Sequence, residues 1–116
     1  MPLELVLLSG TAPTECDIIT AAAAVAPDAA YLDWGDGTIR QVLGAAGDPL
    51  VQVFRSRPVA DPTVAAWAVT NPEVLDQTTI SVWTDVTVAR YAGSAVGRAI
   101  AQALADSIDG TIAERR

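Results

Sequence analysis

The sequence predicts an α+β domain in which one sheet of about five strands, mixed or antiparallel, packs against two main helices. Short apolar runs bounded by Gly and Pro indicate the strands, and two longer segments repeat their apolar residues with helical spacing. The 116 residues suit a single domain, which we place over residues 1–116. The predicted order is β-α-β-β-β-α-β-α. Strands and helices each need an apolar partner layer, so one sheet with helices on at least one face is the simplest arrangement.

The first strand and helix are predicted from the beginning of the chain. Leu3 to Leu8 is almost continuously apolar, which is typical of a strand in the middle of a sheet. Thr14 is the expected N-cap of a helix that reaches about Ala26, and Asp17 completes a capping box. The predicted apolar stripe of this helix consists of Ile18, Ile19, Ala22, Val25 and Ala26.

A meander of three strands is predicted next. Tyr31–Trp34 and Thr38–Val42 flank Gly35-Asp36-Gly37, and glycines supply the positive φ that a tight hairpin needs. A second glycine-containing turn leads into Leu50–Arg55, the third strand of the meander.

Two short elements are expected in the middle of the chain. Asp61 and Pro62 have the residue types of an N-cap and a first helical position, and this helix is predicted to end near Val69. Asn71-Pro72-Glu73 repeats that signal for about one more turn. The β-branched alternation of Thr79–Thr84 then predicts a fifth strand.

A C-terminal helix is predicted from about Arg90 to Ile108, ended by Gly110. Gly93 and Gly97 lower helix propensity, so we expect close backbone packing there. Arg115 and Arg116 are expected to form a frayed tail. The predicted apolar stripe of this helix consists of Ala92, Val96, Ala99, Ile100, Ala103, Leu104 and Ile108.

The composition points away from enzymatic catalysis. The chain contains no histidine and no lysine, which excludes histidine-based nucleophile systems, histidine-bearing zinc sites and Schiff-base chemistry. We predict that the protein is not an enzyme and uses no cofactor. Its net charge of −7 would repel nucleic acids and anionic membranes and attract a basic protein. The acidic N-terminus lacks a signal-peptide pattern and the single cysteine, Cys16, excludes an internal disulfide, so we expect a cytoplasmic protein.

The hairpin tip is the main candidate for a binding site. Asp33, Trp34 and Asp36 could form a recognition tip, because tryptophan is enriched in binding hot spots. Alternatively the tip is an ordinary hairpin with Trp34 in the core. The spacing of the acids does not fit a calcium loop, so no metal site is predicted. Further partner-binding candidates are the acidic residues Asp61, Glu73, Asp76 and Asp85.

Three other side chains are expected in the core: Cys16, Trp67 and Trp83. In size and charge the chain resembles the immunity proteins of bacterial toxin systems, which inhibit a basic toxin or enzyme by covering it. The leading functional prediction is therefore a non-catalytic acidic protein-binding domain of this kind. The alternative is a structural or assembly component, of a phage particle or secretion machine, that acts by self-association as a homo-oligomer.

Overall fold

The computed structural model describes residues 3–70, 72–74, 80–89 and 94–115. Within them the elements are β1 (Leu3–Ser9), α1 (Glu15–Val25), β2 (Ala30–Trp34), β3 (Ile39–Leu43), β4 (Pro49–Phe54), β5 (Arg57–Pro58), α2 (Pro62–Trp67), a 3₁₀ turn (Pro72–Val74), β6 (Val82–Val88), α3 (Ser94–Ser107) and β7 (Thr111–Glu114).

All pairs of neighbouring strands are antiparallel, and the sheet has the order β2-β3-β4-β6-β1-β7. The two-residue strand β5 follows β4 and pairs with β6. Because β1 and β4 both run antiparallel to β6, they are parallel to each other with β6 between them. The α+β class is therefore confirmed, with seven strands among the described residues rather than about five.

The helices α1 and α3 pack against one face of the sheet and bury its larger core. That core contains Leu5 and Leu7 of β1, Val51 and Val53 of β4, and Ile100 and Leu104 of α3, among others. The predicted strand in the middle of the sheet is confirmed, since β1 lies between β6 and β7 and is buried from Leu5 to Ser9.

The capping box of α1 is confirmed. The N–H of Asp17 donates to the Thr14 hydroxyl at 3.2 Å, and the N–H of Thr14 donates to the Asp17 carboxylate at 2.8 Å. The predicted stripes are wrong in part, because Ile19, Val96 and Ala99 are exposed. Ile18 and Ala22 are buried as predicted, and the helices also turn inward three small residues outside the predicted stripes, namely Ala21, Ala101 and Ala105.

Gly97 shows the close approach of α3 to the sheet. A Cβ added there would clash with the carbonyl oxygen of Leu50 and lie 2.8 Å from Cγ1 of Val88, which confirms the expected backbone packing. At the other end of α3 the left-handed residue is Asp109, with φ 54°, one residue before the predicted glycine. Gly110 is needed for space, since a Cβ on it would lie 2.9 Å from Cδ1 of Leu7.

The helix α2 covers part of the opposite face. Ala65 of α2 and the following Val69 pack with Val6 and Leu8 of β1 and with Ala113 of β7. Asp61 caps this helix as predicted. The smaller cluster therefore covers β1 and β7, and it leaves β2 and β3 outside.

Several other sequence predictions need correction. The fifth predicted strand begins at Val82 and continues to Val88, because its pairing with β1 extends over Asp85–Val88. The supposed frayed tail follows β7, and Arg115 forms a bridge with Val69. Cys16 and Trp67 are exposed instead of buried, and the residue surface of Trp67 is 77% exposed. Both lie on short or terminal helical turns whose inner positions are taken by alanine or isoleucine. Asn71, Asp76, Thr79, Arg90, Ala92, Gly93 and Arg116 fall outside the described residues.

Candidate protein-binding face

Among the described residues, no helix packs on the face of β2, β3 and β4 that lies opposite α1 and α3. Val42, Val51 and Val53 are buried under those helices. Successive side chains of a strand point to opposite faces, so their neighbours Gln41, Gln52 and Phe54 point the other way. We call this surface the open face, and it consists of Leu32, Trp34, Ile39, Gln41, Gln52 and Phe54.

Trp34 is the most prominent side chain of the open face. Its residue surface is 56% exposed, and that of Leu32, two positions earlier, is 39% exposed. The indole Nε1 donates to Oε1 of Gln41 at 3.3 Å, and Ile39 lies directly opposite Trp34 on β3. The polar edge of the indole is therefore satisfied within the chain, while the ring remains available. An exposed aromatic ring with its N–H already bonded can be covered by a partner without loss of a hydrogen bond.

The hairpin tip beside Trp34 is held by hydrogen bonds. Three consecutive residues, Gly35, Asp36 and Gly37, have positive φ values of 61°, 53° and 87°. The carboxylate of Asp33 accepts the N–H of Gly37 at 2.7 Å. Asp36 is the non-glycine residue of this left-handed run, and aspartate tolerates that conformation better than most residues. The tip therefore presents Trp34 from a structured loop.

Arg55 and Arg40 tie the tip to the rest of the sheet. The guanidinium of Arg55 donates to the carbonyl of Asp36 at 3.4 Å and to the Thr38 hydroxyl at 3.1 Å. Arg40 lies 4.0 Å from the Asp33 carboxylate and donates to the carbonyl of Pro13 at 3.2 Å. Asp33 is thus engaged on the helix side of the sheet, whereas Asp36 is exposed at the tip.

A charged cluster lies on the same side of the sheet, around Trp83 of β6. The carboxylate of Asp85 accepts from Arg57 at 3.2 Å, from Arg115 at 3.4 Å and from the indole Nε1 of Trp83 at 3.0 Å. The guanidinium carbons of Arg57 and Arg115 lie 5.5 and 6.0 Å from the Trp83 ring centroid. These are cation–π distances. Trp83 is half-buried against the smaller cluster, as expected.

This cluster borders a groove of about 460 Å³ between β5 and α2, lined among others by Arg57, Trp83, Arg115 and Asp61. Asp61 accepts the N–H and the hydroxyl of Thr63 at 3.0 and 2.7 Å. The hydrogen bond from the hydroxyl, and then that from the N–H, lowers the pKa of Asp61 below its ordinary value. Sequence reasoning missed the groove because its two arginines are far apart in the chain, and Arg115 was expected in a frayed tail.

The predicted site residues therefore lie in different places. Trp34 and Asp36 are together at the open face and its tip, with Asp33 on the other side of the same strand. Asp85 is next to the open face, because it lines a small cleft with Phe54, but it is paired with two arginines. Asp61 caps α2, and Glu73 is exposed in the 3₁₀ turn. Asp76 lies outside the described residues.

Tyr31 marks the helix side of β2. Its hydroxyl is enclosed and has no hydrogen-bond partner among the described residues. Burial raises the pKa of Tyr31, Arg40 opposes this increase, and the charges of Glu15 and Asp33 add to it. Asp33 lies on this side of β2, and Glu15 begins α1 two residues after Pro13, whose carbonyl accepts from Arg40.

No protein-family model, curated protein or solved structure matches the chain. No group of three or more metal-ligating side chains occurs in the described part of the chain. Within the same part, no helix is both long enough and apolar enough to cross a membrane. A functional proposal therefore depends on the surfaces themselves.

Proposed function

We propose that this chain is a non-catalytic, acidic protein-binding domain, most concretely an immunity-type inhibitor that binds and neutralises a basic toxin or enzyme. The observation that carries the proposal is the exposed Trp34, held by Gln41 on an uncovered sheet face. Tryptophan is one of the residue types that are enriched in binding hot spots. Monomeric proteins seldom leave contiguous apolar surface uncovered unless it has a partner.

The distribution of charge supports a basic partner. Among the arginines of the described residues, Arg40, Arg57, Arg98 and Arg115 each pair with a carboxylate of the same chain. Since these four arginines are paired within the chain, a partner would meet mainly the negative charge of the other acidic residues, in a chain whose net charge is −7. Complementary charge raises the association rate of a basic partner. A fast-binding inhibitor needs this property.

Trp34 and Asp36 have distinct roles in this proposal. The ring of Trp34 would enter an apolar pocket of the partner, with Leu32, Ile39 and Phe54 around it. Asp36, exposed at the tip, would meet cationic side chains at the rim. Asp33 and Asp85 contribute to the field, but their carboxylates already bond within the chain, so the proposal does not rely on their direct contact.

The test begins with capture of a partner from the native host at low ionic strength, followed by binding measurements on the purified pair. Trp34→Ala is expected to raise Kd by at least about 30-fold, because hot-spot residues contribute 2 kcal/mol or more. The matched control is Trp67→Ala, which removes an equally large indole that is exposed on α2. It is expected to change Kd by less than about threefold.

Asp36→Asn removes the charge and separates the electrostatic contribution, because asparagine also tolerates the left-handed backbone of this position. It is expected to reduce the association rate and its dependence on salt, with a smaller effect on dissociation. Asp36 is chosen over Asp33, whose replacement would also remove the bond to Gly37. Recovery of no partner, or a Kd that Trp34→Ala leaves unchanged, would contradict the proposal.

A second candidate function, a structural or assembly component, is favoured by one observation. The strand β2 lies at the end of the sheet order, and a free strand edge can pair with another copy. Light scattering over a range of concentrations tests this alternative. A stable ring or oligomer would favour it, and a concentration-independent monomer mass would exclude it.

A further inference from the structure

The two edges of the sheet differ in their protection. At the β7 edge, Val69 and Thr70 pair with the C-terminal end of the strand, because Val69 forms a bridge with Arg115 and the N–H of Thr70 donates to the carbonyl of Glu114 at 3.0 Å. At the opposite edge, β2 pairs with β3, and no strand of the described ranges pairs with its outer side. Proteins usually protect such an edge with proline, lysine or a covering segment. Within Ala30–Trp34 the β2 edge has neither proline nor lysine, and its charged side chain is Asp33.

The two sides of the β2 edge differ in chemistry. Ala30, Leu32 and Trp34 alternate toward the open face, so an added strand would find apolar neighbours there. On the helix side β2 presents Tyr31 and Asp33. Cross-strand neighbours on one face lie within contact distance of each other. The side chains of an added strand would therefore contact apolar residues on one face of the sheet and Tyr31 and Asp33 on the other.

The helix side of this edge is acidic. Asp33 lies on this side within the strand. Glu15 begins α1, and the start of that helix is held near β3 because Arg40 donates to the carbonyl of Pro13 at 3.2 Å. The guanidinium groups of Arg40 and Arg55 offset part of this charge. The remaining negative charge favours lysine or arginine on the strand that is added.

This charge also disfavours a second copy of the chain as the occupant. Antiparallel pairing of β2 with itself would bring Asp33 and Glu15 of both copies to the same side of one continuous sheet. Like charges in such positions are destabilising. A strand with basic residues on that side would instead bring opposite charges together.

We infer that β2 is a strand-addition site, which receives from the basic partner an extended segment of alternating apolar and basic residues. The main-chain groups of β2 provide the hydrogen bonds, Leu32 and Trp34 contact the apolar side chains, and the negative charges of Glu15 and Asp33 attract the basic ones. This inference rests on the proposed function and identifies which part of the partner binds.

The direct test uses a synthetic peptide, acetylated and amidated, in which valine and lysine alternate. Amide hydrogen exchange measured by NMR is expected to slow at least about tenfold in Ala30–Trp34 when the peptide saturates the protein, because added main-chain bonds protect the strand edge. Replacement of every lysine in the peptide by glutamate is expected to abolish binding. An N-methylated version of the lysine peptide, which lacks part of the donor row, is expected to bind at least tenfold more weakly.

A variant of the protein tests whether the lysine side chains of the peptide lie on the helix side of β2. Glu15→Lys is expected to weaken binding of the lysine peptide about fivefold or more, because it reverses a charge on the helix side of β2 without altering the open face. The control is Asp106→Lys, which makes the same charge change at an exposed position of α3. It is expected to alter binding less than twofold.

Each contrary result would overturn the inference. Three such results are unchanged amide exchange in β2 when the peptide is bound, equal binding of the glutamate peptide, and equal effects of Glu15→Lys and Asp106→Lys on binding. A fourth is protection of β2 that depends on protein concentration in the absence of peptide, which would identify a second copy as the occupant. The proposed function is tested separately, by binding of the purified partner. Binding that Trp34→Ala weakens but Glu15→Lys leaves unchanged would support the proposed function and exclude strand addition.

Discussion

The packing of α3 on the sheet gives a quantitative prediction for Gly97→Ala. On an exposed helix position this change would stabilise the protein by about 1 kcal/mol, because alanine has the higher helix propensity. At Gly97 the added Cβ would instead clash with the carbonyl oxygen of Leu50 and lie 2.8 Å from Cγ1 of Val88. Overpacking costs about 1–3 kcal/mol. Since one obstacle is backbone, which cannot rotate away, we expect a cost in the upper part of that range.

The net expectation is a loss of about 1–2 kcal/mol in the free energy of unfolding. For a chain of this size such a loss corresponds to a decrease of roughly 4–8 °C in Tm. Urea titration and thermal unfolding, both followed by circular dichroism, measure the two quantities. Ala99→Gly on the exposed side of the same helix is the control, and it is expected to lose about 1 kcal/mol from propensity alone. If Gly97→Ala is as stable as the parent or more stable, the close approach of α3 to Leu50 is refuted.

Three further predictions concern the other corrected or newly found features. Cys16 is exposed, so a thiol reagent under native conditions is expected to label it about as fast as in urea; strong native protection would contradict its placement. The pKa of Asp61 is lowered by its capping bonds, so its contribution to stability is present above the unfolded pKa and is lost as pH falls through the lower folded pKa. An NMR titration of its carboxyl is expected to have a midpoint below 3.8, and a higher midpoint would rule out the cap. Asp85→Asn leaves Arg57 and Arg115 without their carboxylate and is expected to cost about 1 kcal/mol in urea titration. The difference should shrink in 1 M salt, at which the Debye length is about 3 Å, and a salt-independent difference would show that ion pairing is not its cause.

The elements that the sequence predicted correctly are those whose signals are local. The capping box of Thr14 and Asp17 and the glycines around Asp36 act within a few residues, so their geometry follows from neighbours in the chain. Asp61 and Pro62 begin α2 for the same reason. Such signals do not depend on which surface the element later contacts.

The features that could not be predicted depend on distant contacts. β7 is only four residues long and becomes a strand because it pairs with β1, more than a hundred positions earlier. Asp85 meets Arg57 and Arg115, which are 28 and 30 residues away. The exposure of Trp34 and Trp67 depends on which part of the sheet α2 covers, and no residue near either tryptophan specifies that.

The position of β1 between β6 and β7 has a consequence for how the chain folds during synthesis. Its apolar residues leave the ribosome before those of both strands that pair with it, which begin at Val82 and Thr111. At about 5–20 residues per second, β1 waits on the order of 4–15 s for β6 and longer for β7. Pairing over such separations is also slow in itself. β1 is therefore synthesised well before its two partner strands, and during that interval its apolar residues are a target for a chaperone.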